Sequence, residues 1–350
     1  DGALARLSVS FVSASCAHWQ KAVEGPVATM CRMMITLCDI SALARWGEAG
    51  LLERLGGPCD PPAGGAWSLP FASSLSELDL RGSRIEATAE RPLHVLVSSA
   101  GGRIRSKRLR CHVWSTDLPE GALYQLSDEI LIASPRFCLQ QMAARSSLAC
   151  TAAVGMEVCG RYARSPRAPG GFHKRPPLTT PGELIEHFAT NHGYGARRVR
   201  EALPFVVDGS RSPMETVVVL LFTLPVEFGG CGLPRPALNC RVEIPASLQA
   251  ALGKPYLTVD LCWAEWGIIL EYDSYLWHRS KAKIDDDSAR NEGLRDCGWM
   301  VRSVTAGMLA NDAVLDELVR KVMERAGRQV PDDDEFRLRQ HALVRELLAL

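Results

Sequence analysis

The sequence predicts an α/β chain: a C-terminal sheet-and-helix domain preceded by a separate α/β N-terminal region. Three observations carry this. Val259–Trp277 (VDLCWAEWGIILEYDSYLW) reads as a β-hairpin, with two apolar-rich runs around the turn Ala264-Glu265-Trp266-Gly267. Leu309–Ala326 is an amphipathic helix with Leu315, Leu318, Val319, Val322 and Met323 turned inward. Far upstream, Leu93–Val97 and Cys111–Trp114 form another pair of strand-like runs.

A chain of 350 residues suffices for two domains and a large core. Lys+Arg and Asp+Glu both number 40, so no global basic field announces nucleic acid, although a local basic groove would suffice. The 12 cysteines are spread singly, without C-x-x-C pairs or zinc-ligand spacing. That pattern fits reduced, buried thiols and a cytoplasmic protein better than a secreted disulfide scaffold. No apolar stretch reaches the roughly 18 residues that suggest a membrane span. No signal peptide is read at the start, which opens on Asp1 rather than Met.

Residues 1–60 read as mostly helical, with Val27–Leu37 and Ile40–Leu55 as apolar segments. Met30, Met33 and Met34 fit core filling better than a sticky groove. Pro58–Gly65 is a break, and Ser73–Glu90 is polar and poorly patterned. Between the two upstream strands lie Arg103, Arg105, Lys107, Arg108 and Arg110, which either contact phosphates or form a solvated sheet edge that resists aggregation. Arg161–Lys174 is rich in Pro, Gly and charge and reads as a linker. Pro181–Gly193 and Ala196–Leu203 follow as helices, the second with Arg197, Arg198 and Arg200. The expected organisation is an N-terminal region over 1–160, connecting segments over 161–209, a domain over 210–326 and a helical tail over 327–350.

The chemistry concentrates in the hairpin. With the turn centred between Glu265 and Trp266, Asp260 stands opposite Glu271. Directly opposed Cβ atoms lie roughly 5 Å apart, which lets two carboxylates share one divalent cation. Alternation places Val259, Leu261, Trp263, Ile268, Leu270 and Tyr272 on one face and Asp260, Cys262, Ile269, Glu271 and Asp273 on the other. Exposed hairpin faces also carry acids for solubility alone. Downstream come His278 and a helix over Lys281–Cys297, closed by Gly298. Asp287, Arg290 and Leu294 share one face of it, so Arg290 has an ion pair with Asp287 as its simple structural role. Trp299–Val304 reads as a further strand. Ser212-Pro213-Met214-Glu215 matches a helix-capping box, which accounts for Glu215 without catalysis.

The run Asp260…Glu271-Tyr272-Asp273…His278…Asp287-x-x-Arg290…Leu294…Gly298-Trp299…Val304-Thr305 resembles the family called domain of unknown function 559. This is a branch of the PD-(D/E)XK nucleases, similar to very-short-patch-repair endonucleases. Ser212–Thr216 and Gly232-Leu233-Pro234-x-Pro236 resemble the start of that domain in actinobacterial members. The resemblance covers residues 210–326 and implies a restriction-endonuclease-like mixed sheet flanked by helices. It implies a Mg²⁺- or Mn²⁺-dependent endonuclease acting on DNA, with Asp260, Glu271 and Asp273 around the metal and Glu215 nearby. His278 would act as general acid/base or orient water, and Arg290 would neutralise charge on the phosphate. The third signature position, normally Lys, is Asp273, as in the branch it resembles. Ser274 replaces a frequent Gly, and Lys281 and Lys283 are near enough in sequence to substitute for the lysine. Clustered acids repel one another when empty, so metal is expected to stabilise this domain.

A second resemblance covers the upstream strands, the basic loop, His112, Leu118-Pro119 and Ile132–Leu139. These are similar to the central region of AbiEi-type antitoxins, which carry a winged helix ahead of it. No helix-turn-helix is read in residues 1–60. His112 itself reads as a strand histidine with a satisfied hydrogen bond rather than a ligand. Two function classes therefore stand: an endonuclease of phage defence or mobile-element biology, and a non-catalytic antitoxin-like regulator that holds nucleic acid or a partner toxin. A degenerate structural domain is the third.

Overall fold

The computed structural model describes residues 34–62, 87–244, 246, 249, 253–273 and 290–350. The expectations for 1–33 and 73–86 lie outside the described residues. Near the N-terminus, β1 (Ile35–Leu37), β2 (Leu93–Val97), β3 (Leu109–Val113), β4 (Leu123–Gln125) and β5 (Ile130–Ala133) form a sheet ordered β3-β2-β1-β5-β4. β1 runs parallel to β5 and antiparallel to β2, and β2 runs parallel to β3. The expectation of helix through Leu37 is thereby corrected. Ile35-Thr36-Leu37 is a short apolar run rich in β-branched residues, buried at every position as a central strand must be. The helical reading holds beyond it, as α1 (Asp39–Trp46) and α2 (Leu51–Leu55), separated at Gly50 with φ 75°.

α3 (Pro135–Ala143) and α4 (Leu148–Cys159) each start on a serine, Ser134 and Ser147, whose side chain accepts a first-turn N–H. α4 is buried at every residue, consistent with a helix apolar on all sides. The stretch read as a linker is a hairpin instead: β6 (Tyr162–Arg164) pairs antiparallel with β7 (Phe172–Lys174). Tyr162 is fully buried, its hydroxyl 2.9 Å from Thr216 Oγ1. Two helices follow as expected, α5 (Pro181–Thr190) and α6 (Ala196–Ala202), and then α7 (Pro213–Thr223).

The second large sheet holds β8 (Ala237–Glu243), β9 (Tyr256–Trp263), β10 (Ile268–Tyr272) and β11 (Met300–Val304) in the order β11-β10-β9-β8. β8, β9 and β10 are antiparallel and β11 joins β10 in parallel, so the sheet is mixed. The hairpin register matches the sequence reading, with Trp263 opposite Ile268 and Leu261 opposite Leu270. Gly267 closes the turn at φ 61°, a conformation costly for residues with a Cβ. Leu309–Ala326 is two helices, α8 (Ala306–Ala310) and α9 (Asp312–Arg325), broken where the Asn311 side chain caps α9.

Leu261, Trp263, Ile268 and Leu270 join a core that runs from Ile35 to Leu347 and includes α4, α7 and α9. Residues 334–348, within the expected tail, form α10 (Asp334–Leu348), which packs on α4 and α7 and buries Phe336, Leu343, Val344 and Leu347. The boundaries drawn at 160, 209 and 326 do not interrupt this core. The described cysteines are free thiols, and Cys38, Cys138, Cys150, Cys159, Cys231 and Cys262 are buried. Among the described residues no helix is long and apolar enough to cross a membrane.

Candidate functional site

Extending the β9–β10 register by one pair sets Asp260 opposite Glu271. Asp260 Oδ2 accepts the Tyr272 N–H at 2.8 Å. Glu271 Oε1 accepts from Arg290 Nη2 at 2.7 Å, and the same nitrogen donates to Thr258 O at 2.7 Å. Arg290 lies in a helical stretch, described over 290–296, whose Leu294 is fully buried. The ion pair found for Arg290 is therefore with Glu271, while Asp287 lies outside the described residues.

Leu261, Trp263, Ile268 and Leu270 share the main core, as alternation predicts. Val259 is buried apart from them. It joins a second, smaller core with Val242, Leu257, Cys262, Ile269, Leu294 and Val301. Leu238 pairs with Leu261 and Cys240 with Val259, but the intervening Asn239–Asp260 pair is missing. Asn239 there has φ 47°, a left-handed conformation that Asn tolerates better than most side chains. Asp260 thus stands between Val259 of the smaller core and Leu261 of the main one.

Asn239 Nδ2 donates to Glu215 Oε2 at 2.9 Å and to Gly209 O at 3.1 Å. Its Oδ1 is buried and has no hydrogen-bond partner among the described residues. Glu215 is buried, and half of the expected capping box forms: Ser212 Oγ accepts its N–H at 3.1 Å, but its Oε2 accepts the N–H of Arg211 at 2.9 Å rather than that of Ser212. It also lies close enough to Asp260 for the two charges to interact. One residue is thus capped at its backbone by Ser212 and brings its carboxylate near the acid pair.

Burial raises the pKa of all three acids. For Glu215 the Asp260 charge adds to burial, against hydrogen bonds from Arg211, Asn239 and Ser212. For Asp260 burial outweighs the Tyr272 N–H and the charges of Arg290 and Arg211. Glu271 is pushed up to about 7 by burial and by Asp260, with Arg290 pulling the other way. The cluster is short of positive charge, and a cation would supply it. Asp273 follows β10 directly, its N–H donating to Val304 O at 2.8 Å. His278, Ser274, Lys281 and Lys283 lie outside the described residues.

A second cluster joins residues that no local pattern in the sequence groups. His94 Nδ1 lies 3.2 Å from Asp39 Oδ1 and 3.0 Å from His112 Nε2. His112, read as a lone strand histidine, therefore stacks beside another imidazole, ring centroids 4.9 Å apart. Arg145 donates to Asp39 Oδ2. Burial pulls His112 down to about 4, opposed by Asp39 and assisted by Arg145, so its ring is neutral. A groove of about 1040 Å³ between α9 and α10 shares no residue with either cluster.

Asn239 escapes the sequence reading because no strand is expected at 237–243. Its signal is an Asn inside the otherwise strand-compatible run Leu238-Asn239-Cys240. Asp39 and His94 are 55 residues apart in sequence, so no local spacing could announce them.

No family model matches the chain, and no solved structure matches it. Among curated proteins it is similar to two uncharacterized proteins of Mycobacterium tuberculosis, MT2308 of strain CDC 1551 and Rv2248 of strain H37Rv. Each is 28% identical over 107 residues, covering 31% of this chain and 35% of the relative. The chain thus spans about a third of the length of the curated relatives it matches.

Proposed function

We propose that the chain is a metal-dependent endonuclease that hydrolyses DNA phosphodiester bonds, acting in the cytoplasm in defence or mobile-element biology. The observation that carries the reading is the hairpin acid pair Asp260 and Glu271, backed by Glu215 and by the unpartnered Asn239 Oδ1. Buried acids with raised pKa values and a spare buried oxygen form an oxygen-rich donor set short of positive charge. Such a set suits Mg²⁺ or Mn²⁺. Asp260 and Glu271 would hold the ion, with Asp273 extending the set. When bound, it would polarise a phosphoryl oxygen and make hydroxide available near neutral pH.

The protein's own part is positioning. Tyr272 N–H fixes the Asp260 carboxylate, and the Asn239 amide fixes Glu215 behind it. Arg290 sits on Glu271 and can turn to a phosphate oxygen once a cation neutralises that acid. His278 is the general acid/base of this reading.

A regulator that binds nucleic acid or a toxin without cutting is the second reading. It is favoured by the basic stretch before and within β3, an edge strand, where Arg103, Arg105, Lys107, Arg108 and Arg110 are all exposed. The deciding experiment is cleavage of plasmid and single-stranded DNA with Mg²⁺ or Mn²⁺, beside Glu271→Ala. Metal-dependent nicking that disappears in the variant supports the nuclease. Equal DNA binding by both proteins with no cleavage supports the regulator.

A further inference from the structure

Asp39 is the first residue of α1 yet has φ 57°, while its side chain is 1% exposed. A buried aspartate held in left-handed backbone is an outlier that the surroundings must enforce. What enforces it is visible. Its N–H donates to Gln141 Oε1 at 3.3 Å, its Oδ1 accepts the Ile40 N–H at 2.7 Å, and Arg145 takes Oδ2. The carboxylate is thereby aimed at β2 and β3, the strands that carry His94 and His112.

The meeting point is chemically incomplete. His94 Nδ1 approaches both Asp39 Oδ1 and His112 Nε2, but one ring nitrogen has a single N–H or a single lone pair. Only one proton is available on that atom to serve two contacts. The spacing suits a shared cation better. Ligand bonds of about 2.0–2.1 Å in a tetrahedral site put neighbouring donor atoms roughly 3.3 Å apart. Here one donor atom from each of the three residues lies within 4.8 Å of the others.

We propose that Asp39, His94 and His112 bind a divalent transition-metal ion of the zinc type, through two imidazole nitrogens and one carboxylate oxygen. Imidazole donors select such ions over Mg²⁺ or Ca²⁺, which prefer oxygen. Arg145 acts as the outer partner that orients the ligating carboxylate, leaving Oδ1 for the ion. Three protein ligands leave one position open. The histidine side chains are 13% and 17% exposed, so that position is within reach of solvent or a small anion. This site is independent of the acid cluster on β9 and β10 and uses different donor chemistry.

The test is titration of the full chain with Co²⁺, followed by visible absorption. The expected result is one equivalent of ion giving the d–d bands of a low-coordinate nitrogen–oxygen site, without thiolate charge transfer. Zn²⁺ displaces it and excess Mg²⁺ does not. His94→Gln and His112→Gln, checked for folding by circular dichroism, weaken binding by about tenfold or more. Asp260→Asn with Glu271→Gln leaves it unchanged. The unmodified protein alone decides the first point: no such bands, or bands carrying thiolate charge transfer, overturn the proposal. Bands that survive both folded histidine variants, or that vanish with the Asp260/Glu271 change, overturn it as well.

Discussion

Glu271 is the residue whose protonation most directly reports the state of the acid cluster. Its carboxyl ordinarily titrates near 4.5 and in the folded chain near 7. Between those values the folded state holds more protons than the unfolded one, so stability falls as pH rises. In chelator, urea unfolding should show this decline between pH about 5 and about 7, and Glu271→Gln should flatten it. Added Mg²⁺ should restore stability at the upper pH in the parent and much less in the variant. Asn239 offers a complementary substitution. Asn239→Gly keeps the left-handed backbone but removes the amide that holds Glu215, so metal-dependent nicking should fall about 10–100-fold with little change in fold. Nicking at the parental rate would deny Asn239 its positioning role. At this scale Asp260 and Glu271 are legible in the sequence because strand alternation and a centred turn are local rules. Asn239 is not, because no strand is expected at 237–243 and its partner Glu215 lies 24 residues away in sequence.

Among the elements, α4 leaves little room for added volume. Gly155 lies where an added Cβ would come within 2.7 Å of Val206 Cγ2, a stiff and buried β-branched side chain. Gly155→Leu should therefore cost about 1–3 kcal/mol or more in spite of leucine's better helix propensity, measured by urea midpoint. The elements with strong local signals are legible: the β9–β10 hairpin, α5 with its capping box, and the buried stripe of α9. Those without are not. β1 is three residues long and cannot display a period, and the β6–β7 hairpin hides in a Pro/Gly-rich stretch that composition marks as loop. Both are fixed by tertiary packing rather than by their own pattern.

The whole molecule shares one main core, and this sets what can be removed. α10 contributes Phe336, Leu343, Val344 and Leu347 to the buried interior. At about 1.5–3 kcal/mol for each fully buried large side chain, deleting residues 334–350 forfeits about 6–12 kcal/mol, on the scale of the about 5–15 kcal/mol of typical net stability. The truncated chain should lose its cooperative melting transition in calorimetry. The exposed basic stretch can also be tested over the intact molecule. If it binds phosphates, neutralising Arg103, Arg105 and Lys107 together lowers the salt slope of DNA binding by about 0.9 for each phosphate no longer neutralised, read by fluorescence anisotropy. An unchanged slope would make it a solvated sheet edge.

The parallel pairing of β10 and β11 has a consequence in time. The β9–β10 hairpin closes over a few residues, a microsecond event in small systems. β11 is contributed from beyond a long crossover, and Arg290 lies within that returning stretch. The two opposed acids are therefore brought together before the guanidinium that relieves them arrives. During synthesis, a chain still short of residue 290 carries this pair without the Arg290 charge, and a dissolved cation can stand in for it.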